Sequence, residues 1–135
     1  YDQLRELWSR CEGLSQSDTR GQVEQLLRCH PGLSLVARQD QEIVAAILAG
    51  HDGRRGYLYH LAVYVDWRHQ GLARQLVARC LQQLAVAGIP RCSVFVYREN
   101  EEAGQFWKSL GWRHRPELKV FARDLEDVAG NENNE

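Results

Sequence analysis

The stretch DWRHQGLARQLV, residues 66–77, joins a strand-like segment to an apolar helix through a basic turn that contains glycine. Arg68, Gly71 and Ala73 stand in the spacing R-x-x-G-x-A where the helical pattern begins. The N-terminus of a helix carries unbonded N–H groups and about half a positive charge, so it attracts phosphate. At such a turn Gly71 allows a close backbone approach, Ala73 keeps side-chain bulk away, and Arg68 can pair with a phosphate oxygen. We therefore predict an anion-binding site at this turn.

Composition restricts the classes of partner. The 135 residues suit one domain, and a net charge of −1 gives no general attraction to nucleic acid or to a membrane surface, so the anion site has to be local. No apolar run approaches the roughly 20 residues of a membrane span. The four cysteines form no C-x-x-C pair and no zinc-like spacing with histidine. We therefore expect reduced thiols in a cytoplasmic protein that binds no metal.

The first half of the chain predicts two helices and then three strands. Apolar residues recur at helical spacing over 4–11. A second helix, for which Ser17 or Asp18 is the expected cap, stops at 30–32. The segments with the two-residue period of strands are 33–38, 42–50 and 57–65.

The second half predicts two helices that alternate with strands. A long apolar stripe runs from Leu72 to a stop signal at Gly88, and Asn100 caps a further helix. The segments predicted as strands are 91–98 and 117–125. The order α-α-β-β-β-α-β-α-β indicates one α/β domain over 1–125, and we expect the acidic tail at 126–135 to be disordered.

Two segments in this order resemble the GNAT superfamily of N-acetyltransferases. They are LAVYVDWRHQGLARQLV at 61–77 and VYRENEEAGQFWKSLGW at 96–112, the second being similar to the family's N-x-x-A-x-x-(F/L)-Y-x-x-x-G-(F/Y). The resemblance implies a GNAT fold, in which a mixed central β-sheet with a splayed strand pair is flanked by helices. Family members generally begin with a strand ahead of the first helix. This sequence contains no methionine and starts at or inside that helix, so we expect the N-terminal strand to be missing.

The resemblance also implies acetyl-CoA as co-substrate and assigns residues to it. The backbone of Leu61, Ala62 and Val63 would serve the amide-bearing pantetheine arm where the strands splay after a bulge. Asn100 would contact the cofactor from the other side of the splay, as well as capping its helix. The pyrophosphate would lie against the turn and the start of the helix. The residues of this phosphate turn are Arg68, His69, Gln70, Gly71, Leu72, Ala73 and Arg74.

Acetyl transfer to an amine requires a neutral amine, a polarised thioester carbonyl and a proton for the leaving thiolate. Seven residues after Asn100, where the family supplies a tyrosine, this sequence has Trp107, whose indole is no acid at neutral pH. Tyr57 and Tyr59 share the parity that faces the cleft, so these phenols are catalytic candidates, with packing on a helix as the alternative. His60 suits a base better, but strand alternation predicts its side chain on the opposite face.

We expect direct transfer from acetyl-CoA to an amine, because no cysteine or serine occupies the motif positions. The acceptor stays open between a small amine, an aminoglycoside-like compound and an amine of a peptide or protein, and a homodimer stays open too. One alternative is a CoA-binding sensor or regulatory module without catalysis, which Trp107 favours. Another is an α/β domain that binds a different phosphate ligand at the same helix N-terminus.

Overall fold

The computed structural model describes residues 1–11, 18–126 and 128. In this part of the chain the helices are α1 (Asp2–Ser9), α2 (Arg20–Cys29), α3 (Leu72–Val86) and α4 (Glu101–Ser109). The strands are β1 (Leu35–Gln39), β2 (Glu42–His51), β3 (Gly56–Val63) and β4 (Cys92–Val94), and a 3-10 turn follows β3 at Val65–Trp67. None of the described helices combines the length and the apolar character that crossing a bilayer demands.

The strands form one mixed sheet, as the resemblance implied, and their order in it is β1-β2-β3-β4. The pairs β1–β2 and β2–β3 are antiparallel, whereas β3 and β4 are parallel and are connected through α3. Side chains of β2 alternate between two buried clusters: Ile47 packs on the face covered by α3 and α4, and Leu48 packs on the face covered by α1 and α2. The buried β2 therefore anchors both layers of helices.

The cap of α2 differs from the expectation. Thr19 is the cap: its Oγ1 accepts a hydrogen bond from the Gln22 N–H at 3.2 Å, and Gln22 Oε1 accepts one from the Thr19 N–H at 2.8 Å. This reciprocal capping box satisfies two backbone donors. A cap by Asp18 could not form such a box with the residue three positions after it. Ser17 lies outside the described residues.

Two predicted strands are wrong in part or in full. The strand predicted at 91–98 pairs only over Cys92–Val94, and the segment predicted at 117–125 contains no strand. A strand requires a neighbour that offers a ladder of hydrogen bonds, and β4 leaves the sheet after three residues. The apolar residues of 117–125 therefore have no partner edge within the described chain, and Phe121 is 90% exposed.

A β-bulge interrupts β3 and changes which side chains share a face. Leu48 pairs with Tyr59 and Ala46 with Ala62, so Ile47 alone faces the two residues between them. The first of these, His60, has a φ of 51°, in the left-handed region that bulky residues rarely adopt. The extra residue places the side chains of Tyr59 and His60 on the same face, toward α1 and α2.

Candidate functional site

The sheet opens between β3 and β4. The two strands pair only where Gly56–Leu58 meets Cys92–Val94 and have no further mutual pairing in the described chain, which agrees with the predicted splay. The Tyr64 N–H donates to the Val44 carbonyl oxygen at 2.8 Å, so alternation along the strand turns the Val63 amide away from β2 and toward the opening. The side chain of Ala62, which precedes Val63, is buried under α1. This segment thus serves the core with side chains while its backbone faces the opening.

The phosphate turn ends in an exposed helix N-terminus. Gly71 is the N-cap of α3 with a φ of 83°, and a Cβ built there would meet no atom within 4 Å. The first helical hydrogen bond runs from the Gln75 N–H to the Gly71 carbonyl oxygen at 3.0 Å, so the amides of 72–74 have no acceptor within the helix. His69, two residues earlier, also has a positive φ, of 64°. The chain therefore presents consecutive N–H groups around an open space.

Arg68 connects this turn to the splayed strand. Its Nε donates to the Val63 carbonyl oxygen at 3.0 Å, and its Nη2 lies 4.0 Å from the Cys11 Sγ. The guanidinium thus sits at the inner edge of the turn, where it fixes the turn against β3. The Val63 carbonyl is engaged in this contact, which leaves the amide of that residue as the group directed into the opening.

Asn100 caps α4, and Trp107 belongs to the core. Asn100 Oδ1 accepts a hydrogen bond from the Ala103 N–H at 3.0 Å, which leaves the side-chain amide N–H groups to donate elsewhere. The Trp107 ring packs edge-on against Phe106 and Trp112 at centroid distances of 5.1 and 4.8 Å. Trp107 therefore fills space between α4 and the sheet, where the family's tyrosine would supply an acid.

Tyr57 and Tyr59 lie together on one face of β3, beside the opening. Their rings are 6.2 Å apart, and Tyr57 also stacks on Phe95 at 6.0 Å, just beyond the end of β4. Partial burial raises the pKa of Tyr59, and Tyr57, Cys92 and Asp18 raise it further by repelling the phenolate charge. Tyr59 is therefore a neutral phenol that can donate a proton.

The predicted orientation of His60 is wrong, because the bulge reverses the alternation. His60 Nε2 lies 2.6 Å from Asp18 Oδ2, and its ring is 4.9 Å from the Trp8 ring of α1. The side chain is therefore on the same side of the sheet as Tyr59. Sequence reasoning assigned Asp18 only as a cap, and no local pattern indicates that it meets a strand residue 42 positions away.

Two cavities on this face share Asp18. One, of about 240 Å³, is mostly apolar, and the other, of about 350 Å³, lies between α1 and the start of α2. The residues of the first are Asp18, Gln22, Val23, Leu26, Leu48 and Tyr59. The residues of the second are Tyr1, Arg5, Trp8, Asp18, Thr19 and Arg20.

Neither the buried Cys80 nor the half-buried Cys92 is suited to nucleophilic attack. Burial raises the pKa of both Cys80 and Cys92 to about 11, so both are protonated at neutral pH. Cys80 also donates to the Leu33 carbonyl oxygen at 3.3 Å. In the described ranges no three His, Cys, Asp or Glu side chains gather in a way that could hold a metal ion.

Comparisons with known proteins agree with this geometry. The sequence pattern of the acetyltransferase (GNAT) family matches residues 1–112. An acetyltransferase of Sodalis glossinidius (strain morsitans) is 29% identical over 126 residues, which cover 93% of this chain and 89% of that protein. An aminoglycoside 6'-N-acetyltransferase from Acinetobacter haemolyticus aligns with a TM-score of 0.70 at 18% identity, over 93% of this chain and 92% of its own. The NatC complex bound to a Gag peptide and CoA aligns with a TM-score of 0.71 at 19% identity, over 84% and 77% of the two chains.

Proposed function

This chain belongs to the GNAT acetyltransferase family, and on that premise we propose that it transfers the acetyl group of acetyl-CoA directly to an amine. The observation that supports this most is the combination of a splayed β3–β4 pair with an open helix N-terminus beside it. A phosphate ligand without a strand-like arm would need only the helix N-terminus. The opening in the sheet adds backbone amides that suit a chain of amides.

The proposed cofactor residues fit acetyl-CoA part by part. The backbone amide of Val63 faces the opening, where it would bind the pantetheine arm together with the backbone of Leu61, with Ala62 holding the strand in place. The turn would hold the pyrophosphate with its amides, while Arg68 keeps the turn against β3. Asn100 would donate from its side-chain amide across the opening. The residues that supply turn amides are His69, Gln70, Gly71, Leu72, Ala73 and Arg74.

The proposed chemistry needs no acyl-enzyme. The bound thioester supplies the activated acetyl group, and the Val63 amide polarises its carbonyl. As the amine nitrogen bonds to the carbonyl carbon and the carbon–sulfur bond breaks, Tyr59 gives its proton to the sulfur and regains one from the new amide nitrogen. Tyr57 stacks on Tyr59 and holds it at the opening. The raised pKa of Cys92 supports direct transfer, because the thiol beside this site is not a thiolate at neutral pH.

Family membership supports catalysis over the alternative of a non-catalytic CoA sensor. Trp107 favoured that alternative, because it replaces the family's proton donor. Tyr59 offers a donor on the neighbouring strand, so the core position of Trp107 does not remove the acid from the site.

The proposal is tested by calorimetric titration with acetyl-CoA, CoA, ADP and a pantetheine fragment, followed by an acetylation assay with amines. We expect micromolar binding of acetyl-CoA and much weaker binding of ADP, because ADP cannot use the opening between β3 and β4. If ADP bound as tightly as acetyl-CoA, the site would be a phosphate site alone and the proposal would be wrong.

We also propose that the chain forms a homodimer through its exposed apolar segments. Phe95, Tyr97 and Phe121 are 64%, 62% and 90% exposed, so at about 150–250 Å² for each aromatic side chain they leave roughly 400 Å² open to water. Together with the exposed aliphatic residues of the same two segments, this area approaches the ~800 Å² per partner of a standard interface. The aliphatic residues are Val96, Leu118, Val120 and Leu125.

The substitution Phe121→Glu is expected to turn the dimer into a monomer, because it places a charge in the apolar area that the partner would cover. Light scattering coupled to size-exclusion chromatography measures the mass. Val86→Glu is the control, since Val86 is 80% exposed on α3 and belongs to neither segment. A wild-type protein that elutes as a monomer at high micromolar concentration would contradict the dimer.

A further inference from the structure

The bulge in β3 joins His60 to Asp18 at the boundary between the two cavities, and the acetylation proposed above leaves this pair without a role. We infer that Asp18 binds the ammonium group of the acceptor, which loses one proton to water before the neutral amine attacks, and that the acceptor is the α-amine of an amino-acid amide or peptide with an apolar first side chain. This inference rests on the proposed function, because it names the substrate class of the same site.

Asp18 is held in the wall of both cavities by contacts at each end of the residue. Oδ2 lies 2.6 Å from His60 Nε2, while the Tyr1 hydroxyl donates to the Asp18 backbone carbonyl at 2.9 Å. These two contacts fix both ends of the residue, whose side chain is 38% exposed where it lines both cavities. A fixed carboxylate is a strong acceptor for an ammonium ion, since charge-assisted hydrogen bonds are stronger than neutral ones.

The smaller cavity determines what stands next to the amine. Val23, Leu26 and Leu48 give it apolar walls, and Tyr59 closes it on the side of the opening between β3 and β4. An ammonium group on Asp18 would therefore lie in the same cavity as the proposed proton donor. A side chain of the size of leucine would cover the apolar walls, whereas glycine would leave them open to water.

The larger cavity offers donors to an oxygen of the acceptor. Trp8 lines this cavity, but its indole nitrogen is buried out of reach of the cavity space. Arg5 lines it too and brings a positive charge, as does Arg20, which pairs with Asp2 at 2.6 Å. An arginine side chain suits a carbonyl oxygen, because its N–H groups only donate, and its charge disfavours a second ammonium group. An α-amine followed by a carbonyl fits both cavities, whereas a polycationic amine does not.

His60 is a positioning residue in this arrangement. It is held against Trp8, and the residue has left-handed backbone only because β3 bulges at that point. Its Nε2–H fixes the Asp18 carboxylate without touching the acceptor. A side chain that keeps an N–H donor should keep this function, and an apolar side chain of similar size should lose it.

The test compares three amines, each with acetyl-CoA: L-leucinamide, glycinamide and 3-methylbutylamine. Glycinamide lacks the side chain, and 3-methylbutylamine lacks the carbonyl. We expect kcat/KM for leucinamide to exceed that of each of the other two by at least about 10-fold, the usual effect of one well-filled subsite. Equal kcat/KM for the three amines would overturn the acceptor class.

Substitutions then locate the site. Asp18→Asn is expected to raise the KM for leucinamide about 10-fold or more, with the KM for acetyl-CoA changed less than about twofold. His60→Leu should raise the KM for leucinamide as Asp18→Asn does, and His60→Gln should restore most of the lost affinity. Asp40→Asn is the control, because it makes the same change at an exposed hairpin residue with a φ of 57°, which asparagine tolerates.

The outcomes separate this inference from the proposed function. If Asp18→Asn keeps the wild-type KM for leucinamide while acetylation continues, the inference is wrong and the acetyltransferase proposal stands. If the wild-type protein binds acetyl-CoA but acetylates none of the three amines, the acceptor class proposed here is overturned. If it fails to bind acetyl-CoA, the proposed function fails together with the inference.

Discussion

Gly71→Glu is expected to abolish the binding of acetyl-CoA. The residue caps α3 with a φ of 83°, and the space in front of its Cα is open, so a glutamate side chain would extend into the place proposed for the pyrophosphate. Its carboxylate would repel the phosphates and compete for the amides of 72–74. We expect at least a 100-fold loss of affinity, about 2.7 kcal/mol, in a calorimetric titration.

The control for Gly71→Glu has to separate backbone strain from charge. Gly53 has a φ of 90° and equally open space at its Cα, but it lies in the turn between β2 and β3. Gly53→Glu should therefore carry a similar backbone penalty and keep its affinity for acetyl-CoA within about threefold, since exposed substitutions away from a site have small effects. The affinity of Gly71→Ala for acetyl-CoA should lie between those of these two variants. Unchanged affinity in Gly71→Glu would show that the phosphates bind elsewhere.

The sequence predicts those parts of the site that depend on local chemistry. The helix that begins after Gly71 is readable because an apolar stripe with a period near 3.6 starts there, and the structure has α3 from Leu72. The Asn100 cap can also be predicted from sequence, because Asn100 and the residue whose amide it accepts from are only three positions apart. Both features involve contacts within one turn of chain.

The residues that the sequence misplaces depend on contacts between distant elements. His60 changes face because one extra residue enters β3 opposite Ile47, and no residue at that point marks a bulge. Asp18 meets His60 across 42 positions, so helix-cap statistics describe its neighbours in sequence and not its partner. The 117–125 segment has strand-like composition, but strand formation depends on an available edge, which composition does not encode.

Tyr59→Phe is expected to lower kcat strongly while acetyl-CoA binds nearly as before. The phenol is the proposed proton donor for the leaving sulfur, and a positioned general acid typically contributes about 10²–10⁴-fold to the rate. We therefore expect kcat to fall roughly 100-fold, with the Kd for acetyl-CoA within about threefold of the wild type. Release of free thiol under saturating acetyl-CoA and leucinamide measures kcat, and calorimetry measures the Kd.

Tyr97→Phe and Tyr57→Phe define what a loss in Tyr59→Phe means. Tyr97 is 62% exposed beyond the end of β4, so removing its hydroxyl should leave kcat unchanged. Tyr57→Phe should lower kcat less than Tyr59→Phe does, because Tyr57 stacks on Tyr59 and holds the donor without giving a proton. The raised pKa of Tyr59 also predicts how kcat depends on pH. Tyr59 loses its proton only above the usual tyrosine value of about 10, so deprotonation of this group should not lower kcat below that pH. Wild-type kcat in Tyr59→Phe would move the proton donor to water and leave Tyr59 as a wall of the acceptor cavity.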